Sequence, residues 1–189
     1  MQLLEERIIK QGKNLGNGIL KVDGFINHQV DPELMHACGE AFAEKFAAVG
    51  ATKILTAEIS GIAPAVFTGQ HMRLPVVYAR KTQPVTMTDQ VYLTLAQSHT
   101  KGHTVELIVS AEYLGGGEKI LIIDDFLASG ATILALVRLV EMAGSELVGI
   151  GALVEKTFEE GRKNLSHLKV PIVSLAAVTK MEGDAITID

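Results

Sequence analysis

The sequence has no excess of basic residues, almost no cysteine and no long apolar run, and each shortage removes a class of function. Seventeen Lys and Arg stand against 22 Asp and Glu, a formal net charge of −5. A dedicated nucleic-acid binder needs clustered cations to displace the counterions of a phosphate backbone, so nucleic acid is not an expected partner and any phosphate site must be local. The single cysteine, Cys38, cannot close an internal disulfide, which suits a reducing compartment. It lies among helix formers and reads as a small apolar core residue rather than a nucleophile. No stretch reaches the roughly 18 apolar residues of a membrane span, and Glu5, Glu6 and Arg7 interrupt what would be the apolar region of a signal peptide. A soluble, cytoplasmic protein with no membrane partner is expected. His99 and His103 have a helical metal-pair spacing, but Gly102 and the Thr-rich surroundings argue against the helix that would align them.

What is present is apolar and alternating. With 189 residues and 48% hydrophobic composition the chain can bury one sizeable core, and a single domain over 1–189 is expected. DPELMHACGEAFAEKFAAVG reads as a helix: Asp31 caps it, Pro32 takes its first position, Gly50 stops it, and Leu34, Cys38, Ala41, Phe42, Phe46 and Val49 share one face. Strands are expected at 52–60, 74–81, 106–114 and 119–125, with the third able to pair with the second. Helices are expected over GIAPAVFTGQHM and 131–144. LVGIGALVEK and VPIVSLAAV read as further strands, separated by a polar helix-like piece, TFEEGRKNLSHL. This alternation predicts an α/β domain around a mostly parallel central sheet flanked by helices. Residues 82–105 are polar and without period, and read either as a lid over a site or as a hairpin extension.

The informative stretch is ILIIDDFLASGAT, residues 120–132. In an open parallel sheet, ligands bind beyond the carboxyl ends of the strands, where Asp124 and Asp125 stand. Adjacent residues of an extended chain point to opposite faces, so the two are not expected to be a stacked dyad sharing a proton. Their carboxylates suit neighbouring sugar hydroxyls or a hydrated magnesium ion. Ala128, Ser129, Gly130, Ala131 and Thr132 leave backbone N–H groups accessible at the start of a helix, a cradle for phosphate. Together they describe a 5-phosphorylated ribose. Two acids after an apolar strand also suit a P-loop ATPase or a response-regulator receiver, but the G-x-x-x-x-G-K-[ST] loop of the former is missing. GGGEK precedes its strand and reads as a turn.

The same residues resemble the signature of the type I phosphoribosyltransferases: apolar strand, two acids, small-residue loop ending in Thr. LKVDGFINHQVDP, EISGIAPAV, VVYARK and VEKTFEEGR extend the resemblance along nearly the whole chain, nearest to the xanthine-specific bacterial branch. The resemblance implies that fold, with a small hood from the N-terminal segment and the chain end. It also implies transfer of a phosphoribosyl group from phosphoribosyl pyrophosphate (PRPP) to xanthine, in a homodimer, with Mg2+ carried by PRPP rather than held by protein side chains. In that family Asp124 and Asp125 would hold the ribose hydroxyls and 128–132 the 5-phosphate. Glu58, Ile59, Ser60 and Gly61 would offer N–H groups to the pyrophosphate, the alternative being a helix cap by Ser60. Arg80 and Lys81 would neutralise pyrophosphate, here or in a neighbouring subunit, and 82–105 would be the covering loop. Leu20, Asn27 and Lys156 would hold the base, with Phe158 either stacked on it or in the core. The commoner family loop has Thr where Ala128 stands, which removes one hydroxyl donor. A hypoxanthine-guanine enzyme and a non-catalytic PRPP-binding purine regulator are the other readings; regulators of that kind add a basic DNA-binding domain, for which the chain has neither residues nor charge.

Overall fold

The computed structural model describes residues 1–87, 89–97 and 104–189. The chain begins with α1 (Gln2–Gln11), β1 (Lys13–Asn14) and β2 (Leu20–Lys21), then a single π-helical turn, Asp23–Asn27, and α2 (Pro32–Lys45). β3 (Lys53–Ala57), α3 (Ile62–Met72) and β4 (Val76–Ala79) follow, then a hairpin of β5 (Val91–Gln97) and β6 (Thr104–Ser110). The last part is β7 (Lys119–Leu127), α4 (Ala131–Met142), β8 (Glu146–Lys156), the one-turn α5 (Gly161–Asn164), β9 (Ile172–Glu182) and β10 (Ala185–Ile188).

Six strands form the central sheet in the order β10-β9-β8-β7-β3-β4, all parallel except β10, which is antiparallel to β9. Continuous apolar strands are what such a sheet requires, because both faces are covered. In β7, Leu121 and Ile123 enter one core with Phe42 of α2 and Phe46 just after it, while Ile120 and Ile122 enter the other with Leu136 and Leu139 of α4. The four are fully buried, and truncating any of them to Ala should cost about 2–5 kcal/mol. Cys38 is fully buried in the first core, and burial pushes its thiol up to about 12, which keeps it an inert apolar residue.

α2 begins as its sequence requires. Asp31 accepts a hydrogen bond from the Leu34 N–H at 3.1 Å, with Pro32 in the first turn, and its other oxygen meets Arg7 Nη1 of α1 at 2.5 Å. The Leu34 N–H and the Arg7 guanidinium hold its carboxyl below the ordinary value. A group depressed in this way contributes stability that is present above the unfolded value and lost as pH falls through the folded one. Asp31→Ala should therefore destabilise the fold by about 1–2 kcal/mol at neutral pH, and the gap should close in acid, as read by urea unfolding at pH 7 and pH 3.

Three expectations are corrected. Segment 106–114 does not pair along 74–81; their contact is the single antiparallel bridge Arg80↔Ile108, and β6 pairs instead with β5, from Val91↔Ser110 to Gln97↔Thr104. A local hairpin satisfies the backbone of β6 without a long crossover, which is why nearness in sequence prevails. The polar piece 157–168 contains only one helical turn, and the strand taken to end at Asp125 runs on to Leu127. Of the segment read as lid or hairpin, the described strand residues form the hairpin, and His99 and His103 lie outside the described residues. Arg138 of α4 fastens the hairpin, donating to Thr94 Oγ1 at 2.9 Å and to the Leu95 carbonyl at 2.6 Å.

Candidate active site

A cleft of about 770 Å³ opens beyond the carboxyl ends of β3, β7 and β8, between the hood turn that joins β1 to β2 and the β5–β6 hairpin. Strand ends expose backbone and polar side chains where the helices that cover the sheet have not yet begun, so the position is the one an open parallel sheet favours.

β7 supplies Asp124 and Asp125. Asp124 is 4% exposed, and both side chains line the cleft. Adjacent on the strand, the two carboxylates nevertheless line the same cleft. Asp125 accepts from Asn27 Nδ2 at 2.8 Å and from the backbone N–H of Phe126 at 3.0 Å. Burial pushes Asp124 well above the ordinary carboxylate range, and the adjacent charge of Asp125 pushes it further; Lys81 draws it back only weakly. Burial also raises Asp125, while Asn27 and the Phe126 N–H oppose the rise. The two behave as a crowded acidic pair awaiting positive charge.

The 128–132 loop stands beside them. Ala128, Ser129, Gly130, Ala131 and Thr132 all line the cleft. Gly130 has φ 80° and caps α4, and a Cβ there would lie 3.3 Å from the Gly161 carbonyl, so glycine is needed both for the turn and for the close approach. The loop is braced from outside by Asn164 Nδ2, which donates to the Ser129 carbonyl at 2.9 Å. The first amides of α4 precede any intrahelical acceptor, and the helix dipole adds to their pull on an anion.

Glu58, Ile59, Ser60 and Gly61 form the turn between β3 and α3 and line the wall opposite, with a cis peptide between Glu58 and Ile59. Glu58 Oε1 accepts the N–H of Lys81 at 2.7 Å, tying this turn to the end of β4. Lys81 lines the cleft. Arg80 is not among the lining residues: its guanidinium lies 5.9 Å from the Tyr78 ring centroid, and its buried Nε has no hydrogen-bond partner. Ser60 makes no side-chain cap on α3.

At the far end of the cleft stand Leu20, Asn27 and Lys156. Lys156 is 8% exposed; its Nζ donates to the Gly18 carbonyl at 2.7 Å and lies 3.3 Å from Glu159 Oε1 and 5.6 Å from the Phe126 ring centroid. The aromatic wall is Phe126, two residues after Asp124 on the same strand, whereas Phe158 is 45% exposed and not among the lining residues. The period of two along β7 was the signal that could have found Phe126. Sequence reasoning also missed Asn17, Ile19 and Asp23 of the hood and Ala96, Val105 and Leu107 of the hairpin. None of these carries a local pattern that marks it.

The helix-start loop 128–132, the carboxylates of Asp124 and Asp125 and the ammonium of Lys156 line one cleft. Residues 31–178 match the model of the phosphoribosyl transferase domain, and the chain belongs to that family. Among curated relatives, a xanthine phosphoribosyltransferase of Deinococcus deserti is 48% identical over 190 aligned residues, covering 100% of this chain and 98% of the relative. One from Clostridium acetobutylicum is 50% identical over 186, covering 98% of each. Among solved structures, an adenine phosphoribosyltransferase of Rhodothermus marinus superposes with TM-score 0.73 at 28% identity, over 94% of this chain and 100% of that one. The fold is that of the type I phosphoribosyltransferases.

Proposed function

We propose that this protein transfers the 5-phosphoribosyl group of PRPP to xanthine, giving xanthosine 5'-monophosphate and pyrophosphate in purine salvage. The observation that carries the reading is the joint placement, in one cleft, of the 128–132 cradle, the Asp124–Asp125 pair and the enclosed Lys156 ammonium; relatives 48% and 50% identical that are named xanthine phosphoribosyltransferases support it. In the reaction the bond from the ribose C1 to the pyrophosphate oxygen breaks as a purine nitrogen bonds to C1, and positive charge develops on the sugar. Asp124 and Asp125 hold the ribose hydroxyls and favour that charge. The helix-start amides of 128–132 anchor the 5-phosphate, and the Glu58–Gly61 turn with Lys81 receives the departing pyrophosphate. Asn27 binds Asp125 as well as lining the base end, so it orients ribose and purine relative to one another. Lys156 offers a charged donor to an oxo group or to an ionised xanthine ring.

The acids lining the cleft, Asp23, Glu58, Asp124 and Asp125, outnumber Lys81 and Lys156 among the described residues. This donor set fits Mg2+ entering with PRPP, next to Asp124 and Asp125, where the ion would neutralise the pyrophosphate. We further propose a cytoplasmic homodimer in which Arg80, which does not line the cleft of its own chain, serves the neighbouring subunit. No helix among the described residues is long and apolar enough to cross a membrane.

Pyrophosphate release from Mg-PRPP with xanthine, hypoxanthine, guanine and adenine in turn tests the reading. Xanthine should lead by about tenfold or more in kcat/KM, the discrimination that one well-placed charged hydrogen bond supplies. Equal rates with guanine would remove the specificity, and no turnover with any base would remove the activity.

A further inference from the structure

The hood turn is held down by charge more than by apolar packing. Its backbone passes through Gly16, Asn17 and Gly18 with φ of 82°, 51° and 74°. It is closed by three hydrogen bonds, Leu15 N–H to the Ile19 carbonyl, Ile19 N–H to the Gly16 carbonyl and Gly16 N–H to Asn14 Oδ1, each 2.9 Å. Leu15 is 58% exposed and Ile19 40%, so neither anchors the turn in a core. What the turn meets is the end of β8. Gly18 gives its carbonyl to Lys156 Nζ at 2.7 Å, and a Cβ on Gly18 would be 3.8 Å from both Phe158 and Glu159. The chain after Lys156 turns back at once, with the Glu159 N–H donating to the Lys156 carbonyl at 3.0 Å, and this returns the Glu159 carboxylate to 3.3 Å from the ammonium.

An ammonium has three donors. Gly18 and Glu159 engage two, which leaves one for a ligand in the cleft that Lys156 lines. A lysine side chain has four rotatable bonds and little preference of its own, so its direction must be imposed. We propose that Glu159 is the positioning residue for Lys156, and that the Gly18 carbonyl, the Lys156 ammonium and the Glu159 carboxylate form a latch that shuts the hood over the purine. This rests on reading the far end of the cleft as the base site. Glu159 orients the Lys156 donor before the base arrives and ties the hood to the same ammonium. Base affinity and hood closure are thus one event, completed before the ribosyl group moves.

The test uses the full chain with Glu159→Gln and Glu159→Asp, varying xanthine at saturating Mg-PRPP and then the reverse. Glu159→Gln should raise the xanthine KM about tenfold, with kcat and the PRPP KM within about twofold of wild type, and Glu159→Asp should recover part of the loss. In the ligand-free protein, hydrogen exchange at the Leu15 and Ile19 amides should quicken about tenfold in Glu159→Gln, reporting the released hood. An unchanged xanthine KM, an equal rise in both KM values, or unchanged exchange at those amides would overturn the latch. Should wild type use no purine at all, the proposed reaction fails, and the exchange measurement still decides the latch by itself.

Discussion

Replacing Asp124 by asparagine is expected to lower kcat/KM about 10³-fold while making the ligand-free protein more stable. The loss follows from the proposed role, in which the variant removes a buried charge beside the sugar where positive charge develops, a contribution comparable to that of other preorganised electrostatic groups. The gain follows from the sign of the titration. Asp124 has its folded value raised, by burial first and the charge of Asp125 second, so between the ordinary carboxylate value and the raised one the folded state binds more protons than the unfolded state. Stability therefore falls as pH rises through that window and stays lowered above it. Asparagine removes the penalty at neutral pH, and a gain of about 1 kcal/mol corresponds to about 2–4 °C in Tm for a domain of this size. Calorimetry of both proteins at pH 4 and pH 7.5 checks it: the difference in Tm should be the larger at pH 7.5. A variant that melts several degrees below wild type at pH 7.5 would show that Asp124 is a structural residue whose burial is compensated.

Gly61→Ala is expected to abolish most activity by a different route, removing no proposed functional side chain but displacing one. A Cβ at this position would collide with Thr56 Oγ1 and stand 2.6 Å from Asp124 Oδ1 and 3.1 Å from the Ala57 carbonyl. Two of these three belong to β3, buried in the sheet between β7 and β4, so the movable neighbour is the Asp124 carboxylate. Displacing a reacting-centre group by about 1 Å costs on the order of 10²-fold, and kcat/KM should fall by that amount. Overpacking should also cost about 1–3 kcal/mol of stability. A crystal structure of the variant with an unmoved Asp124, together with wild-type kinetics, would refute the role assigned to this contact.

These residues differ in how far the sequence alone reveals them. The β7 strand, its two acids and the 128–132 cradle are contiguous, so a strand, a turn and a helix start can be read in order from local patterns. The α2 helix is legible for the same reason, with Asp31 and Pro32 marking its start, although regular helix ends at Lys45, five residues before the Gly50 stop. The base end is different in kind. Lys156 meets Gly18 across 138 residues of sequence and Asn27 meets Asp125 across 98, and no local pattern encodes which distant segments become neighbours. Those positions came from family resemblance. Strand pairing failed likewise at 106–114, because its partner β5 lies inside the 82–105 segment, whose polar composition does not mark a strand. β10, AITI, is apolar and β-branched enough for a strand, but four residues are too short a run to carry a period, and its antiparallel pairing with β9 is set only in the fold.

The two hydrogen bonds from Arg138 join parts of the cleft that share no chemistry. α4 begins at the phosphate cradle, and Arg138 lies on its later turns; Thr94 and Leu95 adjoin Ala96, which lines the wall contributed by the hairpin. A ligand held at the helix start would therefore be expected to steady the hairpin as well, through Arg138. The wall would then meet the next ligand already ordered, with part of the entropy that ligand would otherwise lose already spent.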